Sequence, residues 1–282
     1  MKDKVVIVTG ANSGIGKVAA LELAKKGATV VMLCRDGARG EKARTDIVGK
    51  SRNDSVHLML CDLASQREIR SFVDRFRQRF DRLDVLLNNA GLTRAKRTLT
   101  EDGIETVFAV NHLACFLLTN LLLDVLKQSA PSRIVNVASE AHRGARLDFD
   151  NLQMERGYGV WEVYCRSKLC NVLFTYELAR RLKGTGVTVN AVHPGTVRTN
   201  LWRNAPGFAQ PLLSLAKPFM RSPEKGAETL VWLASSPQVQ GVSEKYFIDL
   251  REAQSSPTTY DQEPARRLWE VSERLTGAGC GR

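Results

Sequence analysis

The most informative segment of the chain reads Val5-Val6-Ile7-Val8-Thr9-Gly10-Ala11-Asn12-Ser13-Gly14-Ile15-Gly16. Its first four residues form an uninterrupted apolar run, which predicts a β-strand that is covered on both faces. Residues 14–26 then show helical spacing and stop at Gly27, so a helix follows the glycines. Spaced glycines between a strand and a helix permit a tight turn and let the backbone approach a pyrophosphate. The segment therefore predicts a dinucleotide-binding turn, and a tight turn without a ligand is the alternative.

The rest of the chain repeats the alternation of short β-branched runs and longer helical segments, without a break that resembles a linker. Further strands are predicted at residues 29–34, 56–60, 85–87, 133–138, 187–192 and 245–248. This order is typical of α/β proteins. We expect residues 1–282 to form one domain with a Rossmann fold, a doubly wound, parallel, seven-stranded sheet with helices on both faces. Residues 200–222 fit no element, and their prolines and apolar side chains suggest a substrate lid or a loop folded over the core.

Composition excludes several classes of protein. The 282 residues are 43% apolar and 25% charged, as in ordinary globular proteins. The most apolar run, residues 113–126, is interrupted by polar residues and predicts a buried helix, so no transmembrane anchor is expected. The first strand begins directly after Lys4, which leaves no room for a signal peptide, and a cytoplasmic location is therefore expected. The six cysteines have no spacing typical of metal ligands, so no metal site is predicted.

The chain is basic, with 41 Lys and Arg against 30 Asp and Glu, a net charge of +11. The basic residues are spread among acidic ones, which is typical of solvated helix faces. No motif for nucleic-acid recognition is present, so no nucleic-acid partner is expected. Peripheral contact with an anionic membrane stays open, because a basic surface and a lipophilic substrate would both favour it.

The end of the second predicted strand, Cys34-Arg35-Asp36, bears on the choice of nucleotide. An acidic residue there would accept a hydrogen bond from the ribose of NAD, whereas arginine suits the 2′-phosphate of NADP. Arg35 therefore favours NADP(H) over NAD(H), and Lys17 offers a second charge. Asp36 either accepts from a ribose or caps the following helix. Asp62, after the third strand, lies where an adenine amino group comes within reach.

Tyr164 and Lys168 lie four residues apart in a predicted helix, so they share one face. A nearby ammonium favours the phenolate and should lower the pKa of the tyrosine. Such a pair supplies an acid for carbonyl reduction or a base for alcohol oxidation. Ser139, at the end of the fifth strand, either hydrogen-bonds a substrate oxygen or caps the strand end.

Taken together, these motifs resemble those of the short-chain dehydrogenase/reductase family over nearly the whole chain. The segments that carry the resemblance are residues 9–16, 88–91, Asn111, Ser139, Tyr164 with Lys168, and 194–199. The resemblance implies that Tyr164 moves the proton, Lys168 assists it and binds the nicotinamide ribose, Ser139 orients the substrate and Asn111 holds a relay water. The cofactor-binding residues that it implies, with those argued above, are Gly10, Asn12, Ser13, Gly14, Ile15, Gly16, Arg35, Asp62, Leu63, Asn89, Ala90, Gly91, Tyr164, Lys168, Pro194, Gly195, Val197 and Thr199.

Within the family the chain is most similar to the retinol dehydrogenase type, through segments such as residues 34–36, 133–137, 150–153, 176–182 and 265–269. Many such enzymes have an N-terminal membrane anchor, which is not expected for this chain. The resemblance implies an NADP(H)-dependent oxidoreductase for retinol-like or other lipophilic alcohols and carbonyl compounds, in a homo-oligomer. A catalytically silent NADP(H)-binding sensor or scaffold is the alternative, although the chain retains the serine, tyrosine and lysine.

Overall fold

The computed structural model describes residues 1–197 and 220–278, and a single β-sheet lies at its centre. Its strands are β1 Val5–Thr9, β2 Thr29–Cys34, β3 Val56–Leu60, β4 Val85–Asn88, β5 Ser132–Val137, β6 Val187–His193, β7 Lys245–Ile248 and β8 Arg251–Ala253. They are ordered β3-β2-β1-β4-β5-β6-β7-β8. The chain moves outward from β1 in both directions, so a crevice opens at the carboxyl ends of β1 and β4.

The fold class predicted from the sequence is confirmed, with one correction to the number of strands. The first seven strands are parallel as expected, but β8 adds an eighth, antiparallel strand at the edge beside β7. Its three residues are exposed or only half-buried, so they show no apolar run. Pairing with β7, rather than burial of side chains, holds this strand in the sheet.

Helices cover both faces of the sheet. Their bounds are α1 Gly14–Lys25, α2 Gly37–Ser51, α3 Gln66–Arg79, α4 Thr106–Gln128, α5 Val160–Arg181, α6 Pro223–Ser235 and α7 Gln262–Thr276. Alternate residues of β1 enter different cores: Val6 and Val8 pack with α1, α2 and α6, whereas Val5 and Ile7 pack with α3, α4 and α5. Alternation of side chains along a buried strand explains its uninterrupted apolar sequence.

Helix α4 is the buried helix expected from the apolar run 113–126, and it extends from Thr106 to Gln128. Both carboxylate oxygens of Glu105 accept hydrogen bonds from the first turn, at 2.8 Å from Val107 N and 2.7 Å from Phe108 N. By length and composition α4 could cross a membrane, but 89% of its apolar window is buried inside the protein. One turn, Ala109–Leu113, is π-helical.

A chain of buried amides and hydroxyls, here called the amide ladder, connects β4, β5 and α5. Asn88 Nδ2 donates to Asn136 Oδ1 at 2.9 Å, and Asn136 Nδ2 donates to Thr175 Oγ1 at 2.9 Å. Asn88 Nδ2 also lies 3.0 Å from Thr119 Oγ1 on α4. These side chains are almost fully buried, so their hydrogen bonds offset the cost of removing them from water.

Helix α7 packs against α4 and α5 through Trp269. The indole is buried between Phe116 and Phe174, with ring centroids 4.9 and 5.9 Å away, and the guanidinium of Arg181 lies 4.1 Å from its ring centre. Helix α7 therefore completes the core on this face of the sheet.

Candidate active site

A cavity of about 760 Å³ lies at the carboxyl ends of the strands. It is lined by every cofactor-binding residue predicted from the sequence within the described chain, and by Ser139, Tyr164 and Lys168. Thr199 and residues 200–219 of the predicted lid lie outside the described residues. Of the lid, Met220 lines the cavity, and Arg221 N donates to Thr196 O at 2.8 Å. Asn111 does not line the cavity.

The glycines form a cradle at the N-terminus of α1. Gly10 and Gly14 have positive φ angles of 68° and 54°, which side chains other than glycine rarely adopt. A Cβ at Gly16 would lie 2.4 Å from Asn89 Nδ2 and 2.6 Å from Gly10 O, so no larger residue fits without displacement. The cradle thus exposes backbone at a helix N-terminus, where a pyrophosphate is favoured. The residues present fit a dinucleotide.

Thr9 fixes the turn after β4 against the end of β1. Its Oγ1 accepts hydrogen bonds from the backbone N–H groups of Asn89 and Ala90, each at 2.9 Å. Asn89 Nδ2 donates a hydrogen bond to Thr9 O at 2.8 Å. The turn that the sequence placed beside the cofactor is therefore held rigidly at the cradle.

Arg35, directly after β2, and Arg39, in the first turn of α2, both line the cavity. Arg35 Nη1 lies 3.7 Å from the carboxylate of Asp62. Asp36 caps α2: it accepts from Arg39 N at 2.9 Å and from Arg39 Nε at 2.9 Å. The N–H of Arg39 lowers the pKa of Asp36, so this carboxylate is ionised and engaged in the cap. Of the two roles predicted for Asp36, the structure therefore shows the cap of the following helix.

Two basic residues depart from the sequence interpretation at this end. Lys17, expected to offer a second charge, forms an ion pair with Asp46 at 2.6 Å. Arg39 was missed: it lies in the first turn of α2, and the fold brings it to the same cavity as Arg35. Arg39 is thus the second guanidinium on this side of the cavity.

Tyr164 and Lys168 lie on the cavity face of α5, and both are buried. Lys168 Nζ lies 5.8 Å from the centre of the Tyr164 ring and donates to Val137 O at 2.9 Å. Burial lowers the pKa of Lys168 to about 8. Burial raises the pKa of Tyr164 to about 12, while its hydrogen bond with Ser139 acts in the opposite direction.

The lowered tyrosine pKa expected from the sequence is therefore wrong for this structure. Removal of the phenol from water disfavours phenolate, and this effect exceeds the neighbouring interactions. Of the two roles predicted for Ser139, the structure shows the cap: Oγ accepts from Ala141 N at 3.2 Å at the start of the 3₁₀-helix Glu140–Gly144. Ser139 also hydrogen-bonds Tyr164, and its contact with a substrate oxygen stays a prediction. The hydroxyl thus stands beside the phenol at the end of β5.

Asn111 lies in the π-helical turn of α4, an irregularity frequent at functional sites. Its Oδ1 accepts from Leu92 N at 2.8 Å, and its Nδ2 donates to Leu92 O at 3.1 Å and to Ser167 Oγ at 3.0 Å. Ser167 Oγ donates in turn to Tyr164 O at 2.7 Å. In this structure Asn111 therefore ties the loop after β4 to α5, and its role toward a relay water stays a prediction.

The cavity is also lined by residues that sequence reasoning missed. They include Leu92, Thr93, Val110, Ala138 and Trp161. Most of these five are apolar, and they come from four separate parts of the chain. Only Trp161 has a local signal, because it lies one helical turn before Tyr164. The remaining members come together only through the tertiary fold.

This geometry agrees with comparisons to known proteins. Residues 4–207 match the family model for short chain dehydrogenase. The chain is 48% identical to mouse retinol dehydrogenase 14, over 98% of this chain and 87% of that protein. It is 48% identical to human retinol dehydrogenase 13, over 97% of this chain and 85% of that protein.

A crystal structure of an uncharacterised protein from Mycobacterium paratuberculosis superposes with a TM-score of 0.82 at 33% identity. The match covers 100% of this chain and 96% of that one. The chain belongs to the short-chain dehydrogenase family and is an oxidoreductase that acts on CH–OH groups. Its relatives at this level of similarity include the retinol dehydrogenases.

Proposed function

We propose that this protein interconverts a lipophilic alcohol and its carbonyl compound with NADP(H), using Tyr164 as the proton donor and acceptor. The observation that carries the proposal is the convergence of Ser139, Tyr164 and Lys168 in the cavity that also contains the glycine cradle. A proton-transfer group beside a dinucleotide site is the arrangement that hydride transfer to a carbonyl carbon requires.

The preference for NADP(H) rests on Arg35 and Arg39. Both guanidiniums line the cavity, and arginine binds phosphate through paired hydrogen bonds. Asp36, which would favour the ribose of NAD, is engaged instead in capping α2. The two guanidiniums that line the cavity therefore support binding of a 2′-phosphate.

The chain's own residues supply the proton chemistry. The nicotinamide, when bound, supplies the hydride for reduction or accepts it for oxidation. With a pKa raised to about 12, Tyr164 is protonated at neutral pH and can donate to a carbonyl oxygen that Ser139 orients. Lys168, with a pKa of about 8, is mainly cationic at pH 7 and favours the phenolate left by proton transfer.

A lipophilic substrate is supported by the apolar side chains that line the cavity and by the names of the curated relatives, which are retinol dehydrogenases. The test is to follow NADPH and NADH oxidation with a panel of aldehydes and ketones that includes retinal, small aliphatic aldehydes and aryl aldehydes. We expect turnover with NADPH and an apolar carbonyl compound. NADPH binding without turnover across the panel would instead favour the silent sensor.

A further inference from the structure

Trp161, Tyr164 and Lys168 form one stripe along the cavity face of α5. Their spacing of three and four residues places them on the same side of a helix. Exposure falls steeply along the stripe, from 60% at Trp161 to 6% at Tyr164 and 3% at Lys168. The stripe therefore leads from the solvent to the buried proton-transfer pair, and Trp161 stands at its outer end.

The indole of Trp161 is close to the phenol and borders the same cavity. The two ring centroids are 6.0 Å apart, and the ring planes are inclined by 34°. Leu92, Val110 and Met220 line the same cavity. A molecule whose oxygen reaches the phenol would therefore share the cavity with several apolar side chains, and the indole is the one shown within 6.0 Å of the phenol ring.

Trp161 is 60% exposed and lines the cavity, so part of its apolar indole face is in contact with water. Covering that face with an apolar molecule is favourable, by roughly 25 cal/mol for each Å² of apolar surface removed from water. Indole also favours flat partners, because offset stacking adds to the gain from burial alone. The exposed face thus selects a molecule that is apolar and planar next to its reactive oxygen.

We propose that Trp161 is a specificity-determining residue whose indole covers the planar apolar body of the carbonyl substrate. The inference rests on the proposed function, since it places the substrate oxygen at Tyr164. It assigns preference to aryl or similarly flat carbonyl compounds over saturated compounds of equal size. It also assigns the contribution of Trp161 to substrate binding and not to the chemical step.

The experiment compares three aldehydes with NADPH: 2-naphthaldehyde, its fully saturated decalin analogue and propanal. We expect Trp161→Ala to lower kcat/KM for 2-naphthaldehyde about tenfold through a raised KM, because loss of one stacked aromatic contact has this size. Trp161→Phe should retain most of the value. For propanal both variants should stay within twofold of wild type. Leu99→Ala is the matched control, because Leu99 is 53% exposed and is not among the residues that line the cavity.

A second measurement is independent of turnover. The dissociation constant of 2-naphthaldehyde in the presence of NADP, a pair between which no hydride transfer occurs, should rise about tenfold in Trp161→Ala when measured by isothermal titration calorimetry. Equal losses for 2-naphthaldehyde and propanal, a fall in kcat alone, or unchanged binding of 2-naphthaldehyde in this titration would overturn the inference. Failure of the proposed function is distinct: wild type would then oxidise no NADPH with any aldehyde, whatever Trp161 does to binding.

Discussion

Substitution of Tyr164 is the most direct test of the proposed reaction, because phenylalanine differs from tyrosine only by the hydroxyl group. Tyr164→Phe keeps the buried ring but removes the acidic proton. We expect kcat to fall by about 10²–10⁴, the contribution typical of a positioned acid. Binding of NADPH, measured by fluorescence titration, should change less than twofold.

Tyr158→Phe is the matched control for this substitution. Its hydroxyl donates to Arg94 O at 3.1 Å, and Tyr158 is not among the residues that line the cavity. Activity in this variant should remain near the wild-type value. Full turnover in Tyr164→Phe would contradict the role of the phenol.

Arg35 tests the choice of nucleotide. Arg35→Ala removes a guanidinium that we assign to the 2′-phosphate, and a hydrogen bond to a charged group contributes about 1.5–3 kcal/mol. We therefore expect KM for NADPH to rise by about 10–100-fold, with KM for NADH nearly unchanged. Steady-state kinetics with both cofactors measure the difference.

Arg44→Ala provides the control, because Arg44 lies on α2 and pairs with Glu41 away from the cavity lining. It should leave both constants unchanged. Equal increases for NADPH and NADH in Arg35→Ala would remove the proposed contact with the phosphate.

At the scale of single elements, the first turn of α1 depends on close packing at Gly16. Gly16→Ala would place a methyl group 2.4 Å from Asn89 Nδ2, so the turn after β4 must move. We expect a loss of about 1–3 kcal/mol in the free energy of unfolding, as for other overpacked sites. Urea denaturation measures this loss, and weaker NADPH binding should accompany it.

Gly49→Ala is the matched helical control, because nothing lies within 4 Å of a Cβ added at Gly49 in α2. Alanine is the better helix former, by up to about 1 kcal/mol, so this variant should be as stable as wild type or more so. Destabilisation of both variants by the same amount would show that the cradle has no special packing requirement.

The strands and helices differ in how well the sequence predicts them. Apolar runs such as 5–8 predict buried strands because both faces of the sheet are covered, and the predicted parallel order follows. Strand β8 has no such run, since hydrogen bonds to β7 alone define it. The π-helical turn around Asn111 has no periodic signal either, because the helix merely widens for one turn.

The residues of the candidate site also differ in how well the sequence predicts them. The glycines, Arg35, Tyr164 and Lys168 are recognisable because their chemistry depends on local spacing. Leu92 and Val110 join the cavity only through the packing of loops and helices against the sheet. The pKa of Tyr164 was expected to fall, yet burial raises it, and depth of burial is a property of the whole fold.

At the scale of the whole molecule, α7 is essential to the core through Trp269. Trp269→Ala would leave a cavity between Phe116 and Phe174 and remove the contact with Arg181. We expect the free energy of unfolding to fall by about 3–5 kcal/mol, the usual cost of truncating a buried aromatic side chain. Chemical denaturation monitored by circular dichroism measures the change.

Trp161→Ala is the control, because an exposed tryptophan should change stability by no more than about 0.5 kcal/mol. The two substitutions remove the same side chain from a buried and from an exposed position. Similar stability of the two variants would contradict the assignment of α7 to the core.

The amide ladder has a consequence for the alignment of the central strands. Asn88 and Asn136 are opposite each other on β4 and β5, and both side chains point into the α4–α5 layer. A shift of β4 by one residue relative to β5 would turn every side chain of the shifted strand to the other face of the sheet. The carboxamides of Asn88 and Asn136 would then lose their mutual hydrogen bond inside the protein, at a cost of about 1–3 kcal/mol for each unpaired group. Misaligned sheets are thereby penalised during folding, and the loop that carries Asn89 always emerges at the same height as Ser139.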